Sequence, residues 1–372
     1  MGTRLSFVGL GFCGSSGYND HMATLIDSKM AQQYGVKHTR VLQRELQKLQ
    51  SDCEKWVTIH PDCKGKSIEV PFIGKNSMRA RTSRDEDIVS NEMKFGNIHM
   101  FPRSFYNATN FCNDDKLYNN NIDFTIANIV QEDRAAIART KDEVILGVGI
   151  DSDEGSPTYG EYIKLNASTM PASVYDAAGG ILGTNYMGVT GTTLHELGDT
   201  DTGDEKTTHV VPVDFKYSGT KSDTGIMLEK IVRAVELLKK RRAYVKGLNT
   251  CVVGLTARQV AEIQLWEQAQ NKNYGFGDLV DGYRNRILGV NIMETDCLPV
   301  TQLAAGKIAR ICPVWVKEHV MFGAWQDAEV RVDANLQTKV ALGQVVTTCA
   351  MGATRRQMDS VIQIQCLETL AS

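Results

Sequence analysis

The clearest helical pattern in the chain covers about residues 123–147, where apolar positions recur every three or four residues. Asn121 or Asp123 can cap its start, and Gly147 follows its end. The pattern predicts one helix of about 25 residues, roughly 37 Å long. Arg139 and Asp142 are expected to pair on its exposed side. The apolar positions are Ile122, Ile126, Ile129, Val130, Ile137, Val144 and Ile145.

Two strand-like runs precede this helix, at residues 64–74 and 94–102, and they enclose a polar tip at residues 75–92. A two-stranded ribbon alone is marginal in water, so such a hairpin needs a partner surface. The pattern therefore indicates either an arm laid over a neighbouring copy of the chain or a mobile surface loop. In the first case the candidate inter-subunit contacts are Arg79, Arg81, Arg84, Asp85 and Glu86.

Helix and strand patterns alternate after residue 221. An apolar helical face is followed by a buried strand, a capping box at Thr256–Gln259 that opens a helix to about Gln270, and another buried strand. The face comprises Ile226, Leu228, Ile231, Val232, Val235 and Leu238, and the strands are Cys251–Leu255 and Ile287–Met293. Glu229–Arg233 and Glu236–Lys240 are expected to pair four residues apart on the helix. The chain then becomes β-rich, with its strongest strand at Val361–Cys366, which indicates an α+β protein with an inserted α/β lobe.

Composition and charge exclude several classes of protein. The chain has 372 residues, of which 42% are hydrophobic and 23% charged, as in ordinary globular proteins. A net charge of -3 argues against a protein that binds nucleic acid through a basic surface. No apolar run is long enough to span a membrane, and the start lacks the features of a secretory signal. Nine scattered cysteines without a Cys-x-x-Cys pair predict reduced thiols and no zinc site.

Three motifs that suggest chemistry lack the context that such chemistry needs. Gly9-x-Gly11-x-x-Gly14 matches a dinucleotide fingerprint, but the turn-forming residues after it predict no helix to receive a phosphate. His195-Glu196 lacks the second histidine of a zinc protease helix. The acidic segments 151–155 and 199–205 lack the order of a calcium loop. No catalytic, cofactor-binding or metal-binding residue is therefore predicted.

The order of these parts resembles the major capsid proteins of tailed bacteriophages, whose fold also occurs in encapsulin shells. Local sequences are similar as well, and the likeness covers roughly residue 22 to the end. The similar segments are Arg139-x-x-Asp142-x-x-Ile145, Gly323–Asp327, and Gly352–Arg355 followed by Val361–Cys366, the last resembling a podovirus-like subgroup.

The resemblance implies a division of the chain into an N-terminal arm, an extended two-stranded loop (E-loop), a peripheral domain (P-domain) and an α/β axial domain (A-domain). The expected bounds are 1–55 for the arm, 56–105 for the E-loop, 106–220 for the peripheral domain with its spine helix at about 123–147, 221–310 for the axial domain, and 311–372 for the return to the peripheral domain.

The function implied by the resemblance is a major capsid protein, not an enzyme, that assembles as pentamers and hexamers into an icosahedral virion shell around double-stranded DNA. It would be made in the host bacterial cytoplasm. Expected partners are other copies of the chain, a scaffolding protein, a portal protein, optionally a decoration protein, and DNA bound without sequence specificity. No cofactor, membrane or Lys–Asn cross-link is expected. The alternatives are an encapsulin-type compartment and, from another class, a dinucleotide-dependent oxidoreductase that uses Gly9–Gly14.

Overall fold

The computed structural model describes residues 49–60, 63–73, 78–84, 87, 90, 93, 95–112, 126–165, 179–187, 193–195, 209–266, 286–303, 307–335 and 342–368. The glycines Gly9, Gly11 and Gly14 and the predicted contacts Asp85 and Glu86 lie outside these residues. The chain divides into two compact units. The larger comprises Gln47–Ala108, Val130–Arg331 and Val346–Ser372, and the smaller comprises Met1–Leu46, Thr109–Ile129 and Val332–Val345.

Three α-helices and seventeen strands are found among the described residues. The helices are α1 (Ile126–Leu146), α2 (Leu228–Lys240) and α3 (Ala257–Gln264). The strands of the first half are β1 (Thr58–His60), β2 (Ile68–Ile73), β3 (Phe95–Met100), β4 (Arg103–Cys112), β5 (Val148–Ile150), β6 (Tyr162–Lys164), β7 (Asn185–Met187), β8 (Thr193–His195) and β9 (Val210–Val211). Those of the second half are β10 (Cys251–Leu255), β11 (Arg286–Ile287), β12 (Val290–Glu294), β13 (Val300–Gln302), β14 (Ile308–Val316), β15 (Val320–Asn335), β16 (Leu342–Arg355) and β17 (Val361–Glu368).

The main core lies in a seven-stranded sheet of order β11-β12-β10-β14-β17-β9, with β13 also paired to β14. Every residue of β10 is buried, as expected for a continuous apolar run covered on both faces. β17 lies inside the sheet, antiparallel to β14 and parallel to β9, although it follows both in the chain. The strands predicted at Cys251–Leu255 and Val361–Cys366 are confirmed.

The single buried strand predicted at Ile287–Met293 is wrong. The segment is a tight hairpin in which Ile287 pairs with Val290 across the two-residue turn Leu288-Gly289. Both turn residues have positive φ, 51° for Leu288 and 85° for Gly289, which reverses the chain direction. The turn could not be predicted from the sequence, because it lies within an apolar run and leucine is not a turn-forming residue.

Helix α2 is confirmed, but its buried face differs from the predicted one, most clearly at Val232 and Lys230. Val232 is 37% exposed, whereas Lys230 is fully buried. The Lys230 Nζ donates hydrogen bonds to the backbone oxygens of Thr224, Gly225 and Gln365 at 2.8, 3.0 and 2.9 Å. These bonds compensate for burying the charge, although burial still lowers the pKa of the Lys230 amine.

The surface ion pairs predicted on α2 also differ in register. Arg233 pairs with Glu236 at 2.9 Å, three residues away, in place of the predicted four-residue spacings. A Glu229 carboxylate oxygen instead accepts a hydrogen bond from the backbone N–H of Tyr217 at 2.9 Å. The capping box at the start of α3 is confirmed, with the Thr256 N–H donating to the Gln259 amide oxygen at 2.9 Å.

The long helix predicted at 123–147 corresponds to α1, which ends at Leu146. Gly147 follows with a φ of 73°, the left-handed conformation that commonly ends helices. Two N–H groups from a distant segment satisfy the last carbonyls, because Ile181 N donates to Ile145 O and Leu182 N donates to Leu146 O, both at 2.8 Å. The end of the helix is therefore fixed to residues 181–182.

A two-stranded sheet pairs β5 with β6, and two four-stranded sheets are also found among the described residues. One has the order β1-β15-β16-β4, with β1 parallel to β15. The other has the order β2-β3-β7-β8 and contains the predicted hairpin. The hairpin itself is confirmed, with antiparallel pairs from Ile68↔Met100 to Ile73↔Phe95. It is not a purely two-stranded ribbon, because β7 pairs with β3 at Ile98 and His99.

Candidate assembly surfaces

The root of the β2–β3 hairpin is built on glycines of the long strands. A Cβ added to Gly323 would lie 2.4 Å from the Cys63 Sγ and 2.9 Å from the Met100 Cε. A Cβ added to Gly352 would lie 2.2 Å from the Phe101 backbone oxygen. Both chain segments that connect to the hairpin therefore approach the strands more closely than any side chain would allow.

A hydrogen bond from Trp325 strengthens this root. Its indole Nε1 donates to the Gly65 backbone oxygen at 2.9 Å, just before β2 begins. The sequence similarities at Gly323–Asp327 and Gly352–Arg355 thus fall where the hairpin is attached. Sequence reasoning recognised these segments but did not predict what they contact.

The outer half of the hairpin is exposed. Ile73 and Phe95 form its last cross-strand pair and are 63% and 72% exposed. Met78 is fully exposed and Met93 is 60% exposed. A hairpin with a buried root and exposed apolar residues at its outer end has the features of a surface that another molecule covers.

The predicted cations lie at this outer end. Arg79, Arg81 and Arg84 are all exposed. The Arg81 guanidinium donates to the backbone oxygens of Ser83, at 3.0 Å, and of Arg84, which folds the tip back on itself. Within the described residues none of the three arginines forms a salt bridge with a carboxylate. The other predicted contacts, Asp85 and Glu86, lie outside the described residues.

A second attachment point holds the segment before β1 against α1. Asp142, only 3% exposed, accepts hydrogen bonds from the Ser51 hydroxyl at 2.6 Å, the Asp52 N–H at 3.3 Å and the Cys53 N–H at 3.0 Å. Next to it, Lys141 pairs with Glu54 at 3.2 Å. The predicted exposed pair of Arg139 with Asp142 is therefore wrong, because Asp142 faces inward and satisfies a backbone turn.

One carboxyl beside this attachment is in an unfavourable environment. Burial raises the pKa of Glu143, and a Tyr162 hydroxyl at 3.4 Å and the Arg103 charge only partly compensate. Burial in turn lowers the pKa of Arg103.

Of the motifs that suggested metal sites, His195 and residues 151–155 lie among the described residues, whereas Glu196 and residues 199–205 lie outside them. His195 ends strand β8, so it does not lie on the helix that a zinc protease needs. Hydrogen bonds from the side chains of Ser156 and Thr158, the latter at 2.8 Å, and from the Asp153 N–H at 3.1 Å hold the pKa of Asp151 low. The described residues contain no cluster of metal-ligating side chains. No helix in this part of the chain is long and apolar enough to cross a membrane.

The family follows from comparison with known proteins. A family model described as phage capsid protein matches residues 26–181 and 180–368. The chain belongs to the phage capsid protein family. No curated protein sequence matches the chain.

Solved structures of capsids share the fold of this capsid protein. The capsid of cyanophage P-SCSP1u aligns with a TM-score of 0.58 at 14% identity, over 90% of this chain and 93% of that chain. Mycobacterium phage Che8 aligns with a TM-score of 0.56 at 9% identity, over 88% and 96%. Gordonia phage Cozz aligns with a TM-score of 0.55 at 11% identity, over 97% and 98%.

The expected resemblance to tailed-phage capsid proteins is thus confirmed, and so is the α+β capsid fold class. The chain is a structural protein of the virion capsid and not an enzyme. The alternative of a dinucleotide-dependent oxidoreductase is wrong, because the family match covers nearly the whole chain and is a structural family. The five-part division of the chain remains a prediction.

Proposed function

We propose that this capsid protein assembles as pentamers and hexamers into an icosahedral shell that encloses double-stranded phage DNA. The observation that carries the proposal is the β2–β3 hairpin, which is fixed at its root and exposes Ile73, Met78 and Phe95 at its outer end. A single subunit gains nothing from this exposure. A neighbouring copy that covers the outer half would bury the apolar side chains and bring the tip arginines to its surface.

Energetics favour many moderate contacts over a few strong ones. Each subunit in a closed shell repeats the same contacts, so small contributions from every interface sum over the particle. A net charge of -3 is compatible with a wall that contains DNA without binding it tightly. We also propose that the shell has a scaffolding protein, a portal protein and optionally a decoration protein as partners.

The proposal is tested by expressing the full chain in bacteria, alone and with candidate scaffolding proteins, and imaging the purified material by electron microscopy. The expected result is closed icosahedral shells, with pentameric and hexameric units visible after reconstruction. Small discrete oligomers under all conditions would contradict the proposal. Shells that retain a specific enclosed protein and never DNA during infection would favour the encapsulin-type compartment instead.

A further inference from the structure

Two loops at one end of the seven-stranded sheet carry a local excess of positive charge. Because β10 and β12 run parallel, the loop that precedes each of them lies at the same end of the sheet. The segments that form this end, residues 237–249 and 286–291, contain no aspartate or glutamate. Four of their cations are exposed, and we call them the basic surface: Lys239, Arg242, Lys246 and Arg286. The net charge of -3 for the whole chain conceals this excess.

Tyr244 holds the two loops side by side. The Lys239 Nζ lies 6.0 Å from the centroid of the Tyr244 ring. The Tyr244 hydroxyl lies 3.6 Å from the point where a Cβ on Gly289 would be, and the Arg286 guanidinium donates to the Gly289 backbone oxygen at 3.3 Å. The other two cations lie two residues before and two residues after Tyr244 in the chain. The four charges therefore belong to one region of the subunit surface.

The subunit does not neutralise these charges by pairing them. None of the four cations forms a salt bridge with a carboxylate in the part of the chain that the structure describes. The two carboxylates that adjoin the segments have other partners. Glu236 accepts hydrogen bonds from the Tyr217 hydroxyl at 2.5 Å and from the Arg233 guanidinium at 2.9 Å. Glu318 accepts the Thr250 N–H at 3.0 and 3.2 Å.

The chemistry of the basic surface fits an extended polyanion. Lys239 lies in the last turn of α2, where the helix dipole favours a cation, but this reason does not apply to the loop cations. A single exposed pair with a protein carboxylate contributes little. A cation that neutralises a DNA phosphate also releases condensed counterions, so several separate surface cations add up on DNA. Exposed apolar residues of the same loop, Val245 and Leu248, are ordinary on a protein surface.

We propose that the basic surface contacts the phosphate backbone of the enclosed double-stranded DNA, and that this end of the sheet faces the interior of the shell. The proposal rests on the proposed shell function and names the residues that touch the genome. The contact has no sequence specificity, because phosphates carry no sequence information. Four cations give weak binding, with a dissociation constant of about 10⁻⁴–10⁻⁶ M for one subunit. Such binding is compatible with a wall that contains DNA without holding it tightly.

The first test measures binding of random-sequence double-stranded DNA to the unassembled full chain by fluorescence anisotropy at a series of salt concentrations. Lys246→Gln combined with Arg286→Gln should lower the affinity on the order of tenfold at low salt, and should reduce the slope of log affinity against log salt by about two. The melting temperature should not change, because both side chains are exposed. Lys64→Gln combined with Lys66→Gln removes two exposed cations elsewhere and is the matched control, which should bind like the parent.

Three results of this test would overturn the proposal and leave shell formation intact. The first is a parent subunit that does not bind DNA, and the second is an equal loss of affinity in the two double variants. The third is a basic-surface variant that binds DNA like the parent but no longer assembles with a scaffolding protein, which would identify an acidic protein as the partner. DNA binding that depends on the basic surface, by subunits that never form shells, would instead support this contact and refute the proposed shell function.

The second test asks which side of the wall the basic surface faces. In a Lys246→Cys variant, a maleimide attached to a polymer too large to enter a shell should label the unassembled subunit more than it labels the parent. Once closed shells have formed, the variant and the parent should be labelled equally. Labelling of Lys246→Cys above the parent in intact shells would place the basic surface outside and overturn the proposal.

Discussion

Asp142 shows how one buried carboxylate can hold two distant parts of the chain together. It accepts hydrogen bonds from Ser51, Asp52 and Cys53, about ninety residues away in sequence, and so fixes the segment before β1 to α1. At the start of the turn Glu54–Trp56, the Ser51 hydroxyl oxygen accepts a hydrogen bond from the Glu54 N–H at 3.1 Å. Asp142 therefore holds both the backbone before the turn and the hydroxyl that caps it.

Replacing Asp142 with alanine should destabilise the subunit by about 3 kcal/mol, because the change removes hydrogen bonds to a charged acceptor and leaves buried donors unsatisfied. Chemical denaturation of the unassembled subunit measures this loss. Arg139→Ala, on the exposed side of the same helix, should change the free energy of unfolding by less than about 0.5 kcal/mol. Equal changes in the free energy of unfolding for the two variants would show that the hydrogen bonds of Asp142 contribute nothing to stability.

Glu143 predicts a pH dependence of opposite sign to that of most carboxyls. Its pKa in the folded protein is raised above the value in the unfolded chain, so the folded state binds more protons between those two values. Stability should therefore fall as pH rises through this window. Glu143→Gln should stabilise the subunit at neutral pH, and the difference from the parent should disappear toward pH values near the unfolded pKa. Thermal unfolding at a series of pH values provides the measurement, and a variant less stable at neutral pH would contradict it.

Apolar spacing in the sequence predicted α1, α2, β10 and β17. Residue roles that depend on distant partners could not be predicted. Lys230 lies on the helix beside predicted core positions, but its burial depends on three backbone oxygens that the fold brings to it. Asp142 looked like a surface residue for the same reason. Arg79, Arg81 and Arg84 were placed correctly at an exposed tip, because an extended polar segment leaves few other positions for them.

At the scale of elements, the hairpin and its glycine root form one unit. Gly352→Ala would place a Cβ 2.2 Å from the Phe101 oxygen, and neither backbone can yield easily. We expect the subunit to lose more than about 2 kcal/mol of stability and the hairpin to be displaced. Gly155→Ala is the control, since its Cβ would lie 3.4 Å from the nearest atom, an Asp153 Oδ1. Denaturation curves and hydrogen exchange of β2 and β3 measure the two effects, and equal behaviour of the two variants would contradict the proposed root.

Removing the tip of the hairpin should separate folding from assembly. A chain lacking Asn76–Asn91, with a short glycine-serine turn in their place, keeps the root and the buried half of β2 and β3. Its circular dichroism and melting temperature should match those of the parent subunit, whereas closed shells should be absent by electron microscopy. Normal particles from this variant would show that the hairpin is only a surface loop.

At the scale of the whole molecule, weak surface charges matter because a shell repeats them. A single exposed ion pair contributes about 0–1 kcal/mol. Changing Arg79, Arg81 and Arg84 together to glutamate should therefore leave the isolated subunit almost unaffected but lower the yield of assembled particles strongly. High salt should weaken assembly of the parent in the same direction, because it screens exposed charges. If neither treatment changes the yield of assembled particles, the three arginines do not contribute to the interface between subunits.

The position of β17 has a consequence for how the protein is made. Each chain leaves the ribosome from its N-terminal end, and β17 is synthesised after every described strand with which it shares a sheet. Until it emerges, β14 and β9 lack the strand that lies between them, and the fully buried Val361, Ile362 and Ile364 have not yet joined the core. We therefore expect this seven-stranded sheet to remain incomplete until β17 has left the ribosome, and newly released subunits to become competent for assembly only as β17 enters its place between β14 and β9.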